Sequence, residues 1–269
     1  MGAADLPQRI AQAYRWHRRL GGRVIATPYC HIVVDPTKPD VWDLNHADAV
    51  TAQTPAEIDA VFEAMDLHLA HTRWRAVHTD GLTPDPFLAH LAFADFREKA
   101  VVIQMALQDQ ANFRGPPPPD FRPVDSDGDW AALAHLVRAN HVEGLTTGGL
   151  EIGPEMSADI VGGYRAQTPD CRFHLVWDAG APIAYAACGV APNGLGIVED
   201  VFTASAHRRR GVASAMIAAL VARLRATGCD TVFLGALAEE QAKGLYARLG
   251  FRPVSLARGW VKETVKSAR

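Results

Sequence analysis

The feature that most constrains the fold is a basic, glycine-containing hexapeptide at residues 208–213, which lies between a strand-like and a helix-like segment. Residues 196–203 before it are apolar and β-branched, and apolar residues recur after it at helical spacing up to Gly228. The helix start has three arginines before it and no acid in its first turn, although free N–H groups and the helix dipole attract negative charge there. Because Gly211 would let a phosphate approach the backbone closely, the hexapeptide predicts a pyrophosphate-binding loop.

The hexapeptide Arg208-x-x-Gly211-x-Ala213 resembles the Q/R-x-x-G-x-G/A acyl-CoA signature of GCN5-related N-acetyltransferases, the GNAT superfamily. A strand-like segment follows at 231–237, and residues 242–251 then resemble the superfamily's A-x-x-L-Y-x-x-L-G-F helix. Both motifs occur in the superfamily's order and separation, and the resemblance covers about residues 120–269. The predicted order of elements there, βααβββαβαββ, is that of the GNAT fold, so the resemblance implies an α/β fold with a mixed sheet.

Composition limits the other classes of protein. The chain of 269 residues is 48% hydrophobic and 21% charged, as expected of one large or two ordinary globular domains. Its net charge of −3 predicts no general attraction to nucleic acid or to anionic membranes. We expect a cytoplasmic protein, because no signal peptide or membrane span is recognisable and the four cysteines have no C-x-x-C spacing. We expect no metal, since no carboxylate or cysteine completes metal-ligand spacing beside His68, His71 and His78.

A proline-rich run at 116–120 predicts a linker, because it can continue neither a helix nor a sheet ladder. It separates an N-terminal domain at 1–115 from a catalytic GNAT domain at 121–269. Aligning Asp95-Phe96 with Gly250-Phe251 makes the N-terminal half resemble a degenerate GNAT copy, as in tandem GNAT proteins. Its predicted elements are a helix over 7–20 with Arg15, Arg18 and Arg19 facing solvent, strands at 25–35, 41–45, 74–78 and 100–107, a helix from Pro55 capped by Thr54, and a helix at 86–94.

Acetyl transfer from a thioester requires the carbonyl to be polarised and the phosphates of CoA to be held. The resemblance implies that a backbone N–H at Val201, Phe202 or Thr203 polarises the carbonyl, where ordinary sheet pairing is the alternative. The residues expected to bind the phosphate end of acetyl-CoA are Arg208, Arg209, Arg210, Gly211, Val212, Ala213 and Ser214.

Transfer also requires a proton acceptor for the amine and a proton donor for the thiolate. Strand alternation predicts Ile197, Glu199, Val201 and Thr203 on one face and Asp200 on the other, and the resemblance favours Glu199 as the base. The alternative is that Glu199 is held by a nearby arginine, and Asp200 is the lesser candidate for the base. Tyr246 matches the GNAT tyrosine that reaches the CoA sulfur, and the alternative is a tyrosine packed in the core.

The expected function is acetyl-CoA-dependent N-acetylation of a primary amine on a small molecule, by direct attack in a ternary complex. Residues 139–164 contain no Lys or Arg, whereas Glu143, Glu151, Glu155 and Asp159 fall there, so an acidic wall would suit a cationic amine. A plain acidic surface loop is the alternative. A non-catalytic acyl-CoA sensor and an acyltransferase with a longer acyl chain or another acceptor remain open, as does the oligomeric state.

Overall fold

The computed structural model describes residues 5–108, 113, 118, 120–143 and 152–264. The helices and strands alternate along most of this part of the chain. In order they are α1 (Leu6–Arg18), β1 (Arg23–Ala26), β2 (His31–Val34), β3 (His46–Asp48), α2 (Pro55–His68), β4 (Trp74–Asp80), α3 (Asp85–Phe93), β5 (Arg97–Leu107), β6 (Phe121–Pro123), α4 (Asp127–Val142), α5 (Pro154–Ala166), β7 (Cys171–Asp178), β8 (Ala181–Val190), β9 (Gly196–Thr203), α6 (Val212–Ala226), β10 (Val232–Leu237), α7 (Ala242–Arg248) and β11 (Phe251–Glu263). None of these helices is both long enough and apolar enough to cross a membrane.

The contacts divide the chain into two units. One unit holds the residues up to Val102 and those from Ser255 onward, and the other holds Ile103–Val254. The long strands β5 and β11 each contribute residues to both units, so the divisions fall within strands. Most of the proline-rich run at 116–120 lies outside the described residues, and its role as a linker stays a prediction.

The first unit packs two helices on its strands through an apolar core. In its strand order, β1, β2, β3 and β4 lie side by side, and residues 257–263 of β11 pair antiparallel with β4. An apolar cluster packs α2 and α3 on these strands, with Ile58, Val61, Met65, Phe87 and Leu91 buried. The predicted cap of α2 is confirmed: Thr54 and Glu57 form a capping box in which each side chain accepts from the other's backbone N–H.

Two predicted strands of the first unit are wrong. The predicted strand at 25–35 is a hairpin of β1 and β2, because Thr27 closes a turn by donating its hydroxyl to the Cys30 carbonyl at 2.8 Å. The predicted strand at 41–45 is a 3₁₀ turn over Trp42–Leu44, since Asn45 donates its side-chain amide to the Lys38 and Val41 carbonyls at 2.8 and 3.1 Å.

Arg15 and Arg18 of α1, and Arg19 directly after it, are mostly buried, so their predicted solvent-facing placement is wrong. Each guanidinium forms an ion pair with an aspartate from another segment of the unit. The residue pattern of one helix cannot show that such a partner exists. The pairs are Arg15–Asp80 at 2.6 Å, Arg18–Asp43 at 2.5 Å and Arg19–Asp48 at 2.7 Å. The side chains of these arginines are only 18–23% exposed.

Buried histidines beside these arginines predict acid sensitivity. Burial, with the nearby Arg18, lowers the pKa of His17 to about 4, and burial also lowers the pKa of His46 and His78. Since the unfolded chain binds these protons near pH 6.5, the free energy of unfolding is at its full value above that pH and falls between pH 6.5 and 4. His17 alone accounts for about 3 kcal/mol of this loss.

Urea unfolding measured from pH 7.5 to 4.5 checks this expectation. His17→Leu, which removes the titrating ring and keeps an apolar side chain, should flatten the slope below pH 6.5. A wild-type stability that stays constant down to pH 4.5 would contradict it.

The second unit contains the strands in the order β5-β10-β9-β8-β7-β6. Strands β6 to β9 pair antiparallel in sequence order, and β9 pairs parallel with β10. Helix α6 packs its buried residues Met216, Ile217, Leu220, Val221 and Leu224 against one face of this sheet. On the other face, rings of α4 and α5 contact Phe173 of β7.

The order of elements from β6 onward follows the GNAT prediction up to the last strand. The predicted final pair of strands, at 252–256 and 259–263, is the single strand β11. The predicted break fails because Gly259 stays extended and keeps an unbroken register with His78 of β4. The GNAT fold class of the C-terminal half is otherwise confirmed.

Candidate active site

Strands β9 and β10 separate beyond a short paired segment. Their parallel register runs from Gly196 opposite Val232 to Val198 opposite Leu234, and residues 199–203 of β9 lie beyond it. On its other side, β9 remains paired with β8 as far as Thr203 opposite Ala184. Backbone groups on one edge of β9 are therefore released from sheet pairing, which could not be decided from the sequence.

A bulge at Asp200 interrupts β9 where it leaves β10. Glu199 lies opposite Ala187 and Phe202 lies opposite Tyr185, so two residues of β9 face one residue of β8. Asp200 has a φ of 52°, in the left-handed region.

The bulge corrects the predicted faces of β9. Because Ala187 and Tyr185 share a face of β8, Glu199 and Phe202 share the corresponding face of β9, although they are three residues apart. Val201 instead packs against the cluster that includes α6. Strand alternation was therefore wrong after Glu199, and the only local signal was an aspartate in a strand, where that residue is uncommon.

The released edge of β9 carries the candidate oxyanion donors. The N–H of Ala204 donates to the Ile183 carbonyl of β8 at 2.9 Å. Because N–H groups alternate along an extended strand, those of Val201 and Thr203 face the opening and that of Phe202 faces β8. Of the three predicted donors, strand geometry thus favours Val201 and Thr203.

The loop between β9 and α6 has the backbone of an anion site. Gly211 is the N-cap of α6 with a φ of 82°, and Arg209 before it has a φ of 64°. The first helical bond is donated by Ala215 to the Gly211 carbonyl at 3.0 Å, so the N–H groups of Val212, Ala213 and Ser214 lie ahead of the helix ladder. The first turn contains no acid, and a Cβ at position 211 would meet nothing within 4 Å.

The three predicted arginines of this loop differ in their surroundings. All three are exposed. The guanidinium of Arg208 donates to the Thr203 carbonyl at 2.9 Å and forms an ion pair with Glu143 at the end of α4.

The acidic residues of the predicted wall also differ in their surroundings. The negative charge of Glu143 is compensated by its ion pair with Arg208. Glu151 lies outside the described residues, while Glu155 is exposed and Asp159 is half-buried on α5.

Tyr246 lies in the apolar core of the second unit and close to Glu199. It is 6% exposed, and its ring lies edge-on to Phe251 with the centroids 6.4 Å apart. Burial, together with the charges of Glu199 and Glu240, raises the pKa of Tyr246. Because its pKa is raised, the hydroxyl keeps its proton at neutral pH and could donate it to a ligand.

The aromatic side chains of Trp130, Tyr164 and Trp260 have different surroundings. Trp130 contacts Phe173 in the second unit, and Tyr164 of α5 stacks on the same ring. Trp260 belongs to the first unit, where its indole N–H donates to Thr79 at 3.0 Å. In the part of the chain that the structure describes, no group of His, Cys, Asp and Glu side chains has the arrangement of a metal site.

Residues 130–251 match a family model described as the acetyltransferase (GNAT) family. Over these residues the chain is similar to the GNAT family of acetyltransferases. The matched segment includes the β9–β10 opening, the bulge at Asp200, the loop before α6 and Tyr246. No curated protein sequence matches the chain.

Solved structures with the same fold extend the similarity over nearly the whole chain. A GCN5-related N-acetyltransferase from Kribbella flavida is 20% identical with a TM-score of 0.66, covering 98% of each chain. A conserved protein of unknown function from Staphylococcus epidermidis is 14% identical with a TM-score of 0.66, covering 91% of this chain and 95% of its own. A tandem GNAT protein from the clavulanic acid biosynthesis pathway is 14% identical with a TM-score of 0.58, covering 88% of this chain and 79% of its own. At these identities the similarity concerns the fold.

Proposed function

We propose that this protein transfers an acetyl group from acetyl-CoA to a primary amine of a small molecule by direct attack in a ternary complex. One observation carries the proposal: the β9–β10 opening lies directly before the phosphate-binding loop, and Glu199 at its edge lies within electrostatic range of Tyr246. A thioester in the opening would have its pyrophosphate at the N-terminus of α6.

Each step then has a group of this chain to perform it. The N–H of Val201 or Thr203 polarises the thioester carbonyl, and the amine nitrogen attacks its carbon. Glu199, directly or through water, accepts the proton that the amine loses. As the carbon–sulfur bond breaks, Tyr246 donates its proton to the leaving thiolate.

The acceptor proposed here is an amine, and a cationic one fits best. Glu199 supplies a carboxylate on β9 beside the opening, and Glu155 and Asp159 add negative charge on α5. The net charge of −3 does not support nucleic acid or an anionic membrane as a partner. All four cysteines are free and buried, which supports a reducing, cytoplasmic setting.

Thiol release from acetyl-CoA across polyamines, aminoglycosides, amino acids and peptides tests this function. We expect release that depends on one class of amine and yields the acetylated amine by mass spectrometry. Binding of CoA without release for any acceptor would identify a sensor instead. Faster release from a longer acyl-CoA, or transfer to an alcohol or thiol, would redefine the donor or the acceptor.

We also expect a single CoA per chain, bound by the second unit. The corresponding helix of the first unit, α2, begins at Pro55, which has no N–H, and its first turn carries Glu57. The capping box of Thr54 and Glu57 already uses the N–H groups of these two residues, which an anion would otherwise bind. Leu91 takes the place of Tyr246 when the two halves are aligned.

Calorimetric titration with CoA measures this stoichiometry. One site per chain, lost on substitution of Gly211, is the expected result. Two sites of similar affinity would show that the first unit binds CoA as well.

A further inference from the structure

A hydrogen bond ties helix α5 to the bulge of β9. The hydroxyl of Tyr164 donates to Oδ1 of Asp200 at 3.0 Å. The Tyr164 ring stacks on Phe173, with the centroids 4.4 Å apart and the planes at 29°. Because Phe173 is only 1% exposed, this stacking anchors the tyrosine to the core of the second unit and sets the position of its hydroxyl.

The Asp200 carboxylate lies on the side of the sheet that packs against α4 and α5. Burial, and next the charge of Asp200, raises the pKa of Tyr185, whose hydroxyl accepts from the Asn140 amide at 3.2 Å. Asp200 therefore accepts a hydrogen bond from Tyr164 and lies within electrostatic range of Tyr185. These contacts direct the carboxylate toward the helices, which distinguishes its role from that of a general base.

The backbone of Asp200 determines where the next N–H points. Its φ of 52° is in a region that aspartate and asparagine enter more readily than other side-chain-bearing residues, although at a cost. The register with β8 shifts at this residue, and Val201 follows it directly. If β9 relaxed into regular pairing, the N–H groups that now face the opening would be displaced or turned to β8.

We propose that Tyr164 and Asp200 are positioning residues for acyl transfer, and that their hydrogen bond holds the bulge so that the Val201 N–H is aimed into the opening. This inference rests on the proposed function and deepens it. Neither side chain needs to touch the reacting atoms. Small displacements of an oxyanion donor cost about tenfold to a hundredfold in rate, because its stabilisation depends on alignment with the developing charge.

Steady-state kinetics of four variants test the proposal, with acetyl-CoA and the amine that gives the fastest thiol release in the wild type. Tyr164→Phe keeps the stacked ring and removes the hydroxyl. Asp200→Gly keeps the left-handed backbone and removes the acceptor, whereas Asp200→Asn keeps both the conformation and an acceptor oxygen. The double variant Tyr164→Phe/Asp200→Gly completes a cycle that measures their coupling.

We expect Tyr164→Phe and Asp200→Gly each to lower kcat about tenfold with the KM for acetyl-CoA changed less than about twofold, and the double variant to be no slower than either. Asp200→Asn should retain kcat within about threefold of the wild type. A purely structural bond would lower thermal stability and leave kcat unchanged, and that result would overturn the proposal.

Two other results would also overturn it. Effects that multiply in the double variant would show that the residues act independently, and an Asp200→Asn variant as slow as Asp200→Gly would assign a direct role to the carboxylate charge. If the wild type releases no thiol with any amine, the proposed function itself fails, whereas an active wild type with an unaffected Tyr164→Phe variant removes only this inference.

Discussion

Gly211→Glu is expected to abolish measurable CoA binding while the protein remains folded. Gly211 is exposed, and the space around its missing Cβ is empty within 4 Å, so a glutamate there meets no protein atom. Its carboxylate would instead stand at the N-terminus of α6, where the pyrophosphate is expected. We expect a loss of at least about 100-fold in affinity, which corresponds to about 2.7 kcal/mol.

The effect of backbone strain in Gly211→Glu must be separated from the effect of blocking the expected phosphate site. Gly211 has a φ of 82°, so any side chain there costs about 1 kcal/mol. Gly194 has a φ of 83°, is equally free of neighbours and precedes the opposite end of β9, which makes Gly194→Glu a matched control. Calorimetry and CoA-induced thermal stabilisation should report normal binding for this control. Normal stabilisation of Gly211→Glu by CoA would remove the site from this loop.

Tyr246→Phe is expected to lower kcat at least about tenfold with little change in CoA affinity. The substitution removes the proton donor for the thiolate and keeps the ring that packs against Phe251. Burial and the two nearby carboxylates raise the pKa of Tyr246, so the wild-type hydroxyl stays protonated throughout the neutral range and is available as an acid.

A donor role and a packing role predict different kinetics. If Tyr246 protonates the thiolate, single-turnover rates fall together with kcat, while the Kd for CoA and the thermal midpoint change little. Wild-type turnover in Tyr246→Phe would leave the tyrosine as a core residue only. A large drop in the thermal midpoint would indicate that packing explains the loss, and circular dichroism with thermal unfolding separates these outcomes.

Much of the candidate site follows from local chemistry and was predictable from the sequence. The loop at Gly211 depends on a left-handed residue before a helix without acids, and both properties are readable from neighbouring residues. The capping box at Thr54 is local in the same way, because its partners are three residues apart. The buried position of Tyr246, within electrostatic range of Glu199, follows from its motif in combination with the fold.

The features that only the tertiary structure decided depend on contacts between residues far apart in the chain. Arg18 was expected in solvent, but its partner Asp43 lies on a separate turn, and a helical pattern carries no information about such a partner. The bulge at Asp200 is set by pairing with β8 and by Tyr164 on α5, so strand alternation assigned Val201 to the wrong face. The sequence by itself determined the left-handed glycine before α6 and most of the order of elements after residue 120, since these rest on local backbone chemistry. The opening of β9 from β10, and the direction of the N–H groups along it, required the pairing of strands to be known.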